Sequence, residues 1–576
     1  MTSKAKKRNW PISIGVTFVE IVLGSAFVLG TGTYFSVEGK TAVLLLSVLT
    51  GIFFDSKAVS LLKRPSQMIS LLGASLVSAF CLVGNPLLVY PIAKAVSLRD
   101  FLLFILSVIW CAPIVLWLFS CIPHFSHYCM RKAGSSEKES VWPFFLVLVC
   151  SWMVYAAAFY PGISSADTLY IVSAALGSAN IVNWHSPLLI LIYRLLLTIW
   201  DNPMSVLIAQ IFLLAYANAK MLLLFQKAGI KRNVCLVIAV LIGGGVNLAL
   251  HAVTLWKDIP YTAVVLLAGT WFAEYYLFAG REKFTLIKYF ELSLYLAFAV
   301  CFKTNGIVFA LLILGAIVFL SHFGKKEIIA AVLFILQLVI VTGPIYSALH
   351  VVPTNPGGQF IGLGNDIRAV GVYDEHLPTI SQDVFLQEGG AESFNPYCAG
   401  GSNTLEYVGY FYAPSMTYFI KAYVRTFFAH PIIMMHAVLC RTDCMWNIRA
   451  GIDGSVINAG QIQECLSASF NIQPADNILT HLLTSAVNNS LTGASAVILW
   501  RMGIWFVFAI LMAGMLIFYK KQRYCLLLLP AMGQMLGLAL SCGWMSYRYY
   551  LGYLELLFLF IGCAIAALAV NENSNE

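Results

Sequence analysis

Two short stretches in this chain carry groups suited to proton transfer. An apolar run ends at Tyr160-Pro161-Gly162 and leads into Ile163-Ser164-Ser165-Ala166-Asp167-Thr168; further on stands Asn183-Trp184-His185-Ser186-Pro187. A hydroxyl is a poor nucleophile at neutral pH, and a positioned carboxylate that takes its proton is worth about 10²–10⁴-fold in rate. Asp167 is placed for that task, and His185 for orienting a phosphate or a hydroxyl. The alternative reading of Asp167 is a helix cap or Asx turn after Ser164 and Ser165. His185 is equally readable as a satisfied interfacial histidine.

Three short connections each add one cation. Lys257 lies in Leu255-Trp256-Lys257-Asp258, Lys303 in Phe302-Lys303-Thr304-Asn305-Gly306, and Arg548 in Trp544-Met545-Ser546-Tyr547-Arg548-Tyr549-Tyr550. Cations held together at one depth can bind a phosphate and stabilise its charge as it leaves. Taken singly, each could instead reach toward lipid head groups. Lys257 could pair with Asp258, and Arg548 with Glu555. We take Asp167, His185 and Asp258 as candidate catalytic groups. Lys257, Lys303, Asn305, Tyr547 and Arg548 are the candidate substrate-binding groups.

The elements that position them are membrane helices. Hydrophobic residues make up 60% of the chain and charged residues 11%, far from the composition of a soluble domain. Apolar runs long enough to cross a bilayer recur along the sequence. We read about fourteen spans, which makes the expected fold an all-α polytopic membrane protein. Lys and Arg cluster in alternate connections: Lys4–Arg8, Lys57–Arg64, Arg131–Lys138, Lys227–Arg232, Arg281–Lys288, Lys325–Lys326 and Lys520–Arg523. The positive-inside rule assigns that face, and both termini, to the cytoplasm. The expected location is a cell membrane, as in a bacterial inner membrane. The net charge of +8 is then a topology signal. No basic patch with aromatic readers points to nucleic acid. The first apolar run reads as a span rather than a cleaved leader.

Four parts follow along the chain. Residues 1–140 form a four-helix membrane module. Residues 141–349 form a transmembrane core with an outer loop at 161–202. Residues 350–495 form an outer, mainly helical domain, and residues 496–576 a closing three-helix segment. In the outer domain Ser415 should cap a helix through about Ala429, and Pro431 should open another that stops before Gly451. Their apolar residues Tyr418, Phe419, Tyr423 and Phe427 should dock on the membrane part or lie at the membrane interface. Cys398, Cys440, Cys444 and Cys465 fall in this domain, as thiols or as one or two disulfides of an oxidising compartment. Glu20 stands mid-span in the first helix, where a carboxylate should face protein or water. It is the sequence's best support for a transporter.

The order and sidedness of these motifs resemble the GT-C superfamily of membrane glycosyltransferases, over about residues 142–570. The match includes Tyr160-Pro161-Gly162 with Asp167, Trp184-His185-Ser186-Pro187 and the apolar run Leu188–Trp200. It continues with Trp256-Lys257-Asp258 and Lys303-Thr304-Asn305-Gly306. The nearest likeness is to bacterial members similar to O-antigen-modifying glucosyltransferases. The resemblance implies a polyprenyl-phosphate sugar as donor and a glycan, lipid or protein as acceptor on the outer face. It implies that Asp167 is the acceptor-side base or a ligand of a divalent metal ion. Lys257, Lys303 and Arg548 would face the lipid phosphate. Two departures stand out. Four helices precede the one leading into the acidic loop, where the family has one. The loop also carries a single Asp, which counts against a bound metal. The rival of another class is a transporter or flippase of lipid-linked saccharides, which would need polar groups along a path through the midplane. A purely structural protein would leave the interfacial charges unexplained.

Overall fold

The computed structural model describes residues 19–26, 37–53, 62, 64–89, 96–131, 137–278, 284–353, 361–373, 415–448, 466–541 and 547–570. The expectations that concern Lys4–Arg8, Lys57, Lys63, Lys132, Arg281, Lys283, Cys398, Gly451, Cys465 and Trp544–Ser546 lie outside them. Among the described residues there is no strand, only isolated bridges such as Ile163 with Thr254 and Val182 with Val352. The chain is an all-α protein with several helices of membrane-crossing character. Among the described residues six are long and apolar enough to span a bilayer, or eight if each of two bent pairs is one span. The count of about fourteen differs largely because several apolar runs form shorter helices, such as Trp142–Ala158, Gly306–Leu320 and Met502–Phe518.

The central helix is Asp258–Phe278, buried from Asp258 to Tyr275. Its sequence is apolar all round, which suits a helix surrounded by others. The helices Met204–Lys227, Leu286–Phe302 and Tyr547–Ala569 pack around it. Close approach depends on missing side chains. A Cβ on Gly269 would meet Leu556, and one on Gly562 would meet the Phe225 ring. The helix Lys325–Ile340 is the opposite case. It buries only Glu327, Ala330 and Phe334 and leaves Ile328, Val332, Ile335, Leu336 and Val339 exposed. That face is built for lipid.

The bundle has two chemically different ends. At one, Lys227 and Lys288 both reach Glu274, at 2.7 and 3.6 Å. There too Lys521 donates to the carbonyls of Ala567, Leu568 and Val570, which end the last helix. A cation at a helix C-terminus satisfies orphan carbonyls and complements the dipole. At the other end lie Asp258 and Tyr547, the first residues of their helices, and Lys303, which follows the last residue of Leu286–Phe302. We call this the site end.

Helix breaks have local causes. The expected span Val234–Thr254 bends by 66° between Gly244 and Val246, at a run of three glycines. The run after Pro65 widens into a π-helix over Phe80–Val89, which holds Pro86. The proline cannot donate the i+5 bond to Cys81, and the Cys81 carbonyl accepts the Ile448 N–H at 3.0 Å instead. A second π stretch, Val341–Ile345, contains Pro344.

In the segment after His350, Ser415 caps Met416–Ala429 by accepting the Tyr418 N–H, and Pro431 opens Pro431–Arg441. Phe419 is buried, and Tyr418, Tyr423 and Phe427 pack on a small core of Ile367, Val370, Ala422 and Met434. A buried Arg441–Asp366 pair, at 2.7 and 2.9 Å, clamps Pro431–Arg441 to the helix Ile361–Tyr373. Thr480 donates to the Ala158 carbonyl, and the Ala475 N–H to Tyr160, fixing the later part of the segment on the helix Trp142–Ala158. Cys440 is disulfide-bonded. Glu20 is fully buried, and neither carboxylate oxygen has a hydrogen-bond partner.

Replacing Gly562 by Val should force the helices Tyr547–Ala569 and Met204–Lys227 apart. Overpacking of this kind costs about 1–3 kcal/mol. The detergent-solubilised variant should unfold several degrees below wild type by differential scanning fluorimetry. An unchanged midpoint would show that Phe225 can move aside freely.

Candidate active site

The first wall of the site begins at Gly162, whose φ of +117° is a glycine conformation. The turn lets the chain pair beside residues 253–255: Ile163 N–H donates to Val253, and Leu255 N–H to Ile163. The helix Ala166–Ala175 then starts. Its cap is Ser165, not Asp167. Ser165 and Thr168 bond reciprocally, and Thr168 Oγ1 also donates to the Leu255 carbonyl at 2.7 Å. Trp256 Nε1 donates to Ser165 Oγ at 2.7 Å. Asp167 is thereby free of capping and sits in the first turn, where the helix dipole favours a carboxylate.

Asp167 meets Arg548 across the bundle, with Nη1 to Oδ2 at 3.0 Å. This replaces the alternative pairing of Arg548 with Glu555. Glu555 lies deep in the core and accepts from Asn218 at 3.3 Å. Arg548 stands between aromatic rings, 5.0 Å from the Trp256 centroid and 4.7 Å from Tyr549. It also donates to the Tyr549 hydroxyl at 2.7 Å. Its fork is therefore held flat and oriented.

The second ion pair corrects another sequence alternative. Asp258 pairs with Lys303, Nζ to Oδ1 at 2.6 Å, and not with its neighbour Lys257. Asp258 is 1% exposed, and its Oδ2 has no hydrogen-bond partner. Lys303 also lies over the Tyr549 ring at 4.4 Å. Lys257 donates to the Trp184 carbonyl at 3.0 Å and lies 5.6 Å from the Trp184 ring. Among the described residues it has no ion-pair partner within salt-bridge distance.

These groups surround one cavity of about 750 Å³. Asp167, Trp184, Lys257, Lys303, Asn305, Arg548 and Tyr549 line its polar side. Val300, Phe302, Tyr346 and Leu538 add apolar surface to the same lining. Asn305 is 6% exposed, and neither end of its amide has a partner. A buried amide of this kind is shaped for a ligand that both donates and accepts. Hydrogen bonds of Asn183 and Val352, and of Ser186 Oγ to the Cys301 carbonyl, tie the wall segments together.

Three candidates do not line the cavity. Tyr547 turns away and bonds with Asn247 and the Leu499 carbonyl. Asp258 acts from behind, through Lys303. His185 lies in the wall against the Tyr170 ring at 4.6 Å, with Nδ1 unpartnered. The residue that sequence reasoning passed over is Tyr549. Tyr547, Tyr550, Leu551 and Leu554 form a buried face at helical spacing, so Arg548 and Tyr549 fall on another face. Reading the helix as starting at Tyr547 would have found this.

Electrostatics follow from the packing. Burial raises the Asp167 carboxyl, but Arg548, Lys257 and His185 more than offset it, and the group lies below its ordinary value. Burial lowers Lys257, helped by Lys303 and Arg548 and opposed by Asp167 and Asp258. Burial, then Lys257, pushes His185 down to about 4, so its ring is neutral near pH 7. The donor set does not suit a divalent cation. Asp167 faces cations, Asp258 is held by Lys303, and among the described residues no group of three His, Cys, Asp or Glu is placed to hold a metal. No family model matches the chain, and no curated protein or solved structure shows significant similarity to it.

His185 makes the protein acid-sensitive. Above pH 6.5 the ring is neutral in both folded and unfolded chains. As pH falls toward 4, only the unfolded chain takes up the proton, so folded stability is lost across that window. The complete shift is worth about 3 kcal/mol. The melting temperature should fall between pH 6.5 and pH 4, and His185→Gln should flatten that fall. An equal slope in both proteins would place the sensitivity elsewhere.

Proposed function

We infer that this chain is a membrane glycosyltransferase of the GT-C kind. It moves a sugar from a polyprenyl phosphate to a glycan, glycolipid or protein acceptor on the outer face of a cell membrane. One observation carries the reading: Asp167, Lys257, Lys303 and Arg548, from separate helix ends, converge on one cavity that Val300, Phe302, Tyr346 and Leu538 also line. A lipid-linked phosphate needs that pairing of cations with an apolar flank. In the proposed topology of about fourteen spans, the Lys- and Arg-rich end faces the cytoplasm and the site end faces outward.

The reaction needs little more than these groups. The acceptor oxygen bonds to the anomeric carbon as the bond from that carbon to the phosphate oxygen breaks. Asp167 takes the acceptor proton. The electron pair leaves with the polyprenyl phosphate, whose growing charge meets Arg548 and Lys257. Asn305 offers a donor and an acceptor to a sugar hydroxyl pair. Tyr549 orients Arg548, and Asp258 holds Lys303.

Glu20 favours a second reading, a transporter or flippase of lipid-linked saccharides, because a buried carboxylate without a partner is costly unless used. Micelles separate the two. They have no compartments, so translocation cannot occur, while transfer can. Purified protein with short-chain polyprenyl-phosphate hexoses and a panel of acceptors should release polyprenyl phosphate. Asp167→Asn should lower that turnover by about 10²–10⁴-fold, and Glu20→Gln should leave it unchanged. The transferase reading falls if micellar protein never consumes donor while sealed vesicles translocate lipid-linked saccharide in a Glu20-dependent way.

A further inference from the structure

The cavity holds its own competitor for a phosphate. Three cations, Lys257, Lys303 and Arg548, and one carboxylate, Asp167, line it, and a second carboxylate, Asp258, stands behind Lys303. Lys303 is neutralised from behind by Asp258. Asp258 is 1% exposed and does not line the cavity, so an incoming anion cannot displace it. Asp167 differs. It lines the cavity, its side chain is 26% exposed, and the Arg548 side chain is 14% exposed. Arg548 is pinned by Trp256 and Tyr549, so it keeps its place whichever anion it binds. Lys257 stands nearby with only the Trp184 carbonyl as acceptor.

We propose that Asp167 is a displaceable counter-ion: it occupies the Arg548 fork until a phosphate ester bridges Arg548 and Lys257, and it is thereby released to act as the base. This rests on the transferase reading and adds regulation to it. While paired, Asp167 is a weak base, because the charged groups that face it, Arg548 and Lys257, suppress its proton affinity, while His185 beside it is neutral near pH 7. A phosphate on the fork cancels that field and frees the carboxylate beside the reacting centre. When the product lipid phosphate leaves, Asp167 closes the fork again. The base is thus armed only when donor is present, which protects against proton transfer without a substrate.

The consequence is contrary to what a structural ion pair would give. Removing the charge of Asp167 should strengthen phosphate binding. The measurement is retention of radiolabelled decyl phosphate by the full chain in detergent at pH 7.5 and fixed salt, with inorganic phosphate as a second ligand. Wild type should bind decyl phosphate more tightly than inorganic phosphate, because Val300, Phe302 and Leu538 can cover the alkyl chain. Lys257→Ala and Arg548→Ala should each weaken it. Asp167→Asn should tighten it about tenfold, the scale of removing one close competing charge. In the Arg548→Ala background the same change should gain little, since no fork remains to be freed. Asp167→Ser replaces the Asn variant if that protein does not keep the wild-type melting temperature. If wild type shows no binding that depends on Lys257 and Arg548, the cavity is no phosphate site and the transferase reading fails with it. If binding depends on both cations but Asp167→Asn is no tighter, or its gain persists without Arg548, the displacement mechanism alone is overturned.

Discussion

A bundle this apolar holds charges at its site end mainly by answering one with another. The pairs Asp167–Arg548 and Asp258–Lys303 meet that constraint, and much of the site follows from them. The first joins helices far apart in sequence, Ala166–Ala175 and Tyr547–Ala569; the second joins Asp258–Phe278 to the end of the next helix, Leu286–Phe302. Breaking such a pair on one side strands a desolvated charge. The pairs therefore act as registration marks for four elements. A shift of one helical turn, about 5.4 Å, would separate both. The arrangement leaves Lys257 as the unmatched cation, and an unmatched cation in a half-apolar cavity is an anion site in waiting.

The two pairs differ in a way that matters for chemistry. Asp258 is sealed, so its bond to Lys303 is permanent and sets the shape of the floor. Asp167 stands at the rim, where its bond to Arg548 can exchange. The surrounding rings reinforce the contrast. Tyr549 serves both cations, as a face for Lys303 and as a hydroxyl acceptor for Arg548. One side chain thereby couples the fixed pair to the exchangeable one. Trp256 performs a similar double task, bonding the Ser165 cap through its indole N–H while its face supports Arg548.

What could be read from sequence divides along physical lines. Local rules were enough for Ser415 and Pro431, because capping and the proline ring act within a turn of the chain. Sidedness was enough to bring Asp167, Lys257, Lys303 and Arg548 to one level, because short connections leave little freedom in depth. Partner choice was not legible. Lys257 beside Asp258, and Arg548 about two turns before Glu555 on its helix, suggested pairings by proximity in sequence. The fold instead selects partners by helix face and depth, as with Glu555 and Asn218 in the core. Asp366 and Arg441 show the same limit, since nothing local announces a clamp between residues so distant. Tyr547 was misjudged because the last helix begins earlier than its apolar run, and helical phase then decides which tyrosine meets the cavity.

The lipid-facing helix Lys325–Ile340 completes the argument about access. Its continuation, the π stretch Val341–Ile345, brings Thr342 and Gly343 to the cavity wall, with Tyr346 and Ser347 just beyond. Leu538 and Ser541 line the same cavity. A straight helix would carry its side chains past this point at regular spacing. The widened turn at Pro344 interrupts that spacing where the cavity is lined, and Gly343 adds no side chain to fill it. The charged half of the cavity is thus closed in by ion pairs and rings, while the apolar half is bounded by small residues on an element that faces the bilayer. A ligand with a charged head and a hydrocarbon tail is the kind of molecule that satisfies both halves at once. A small soluble anion would leave the apolar half unfilled, and a plain lipid would leave Lys257 unanswered.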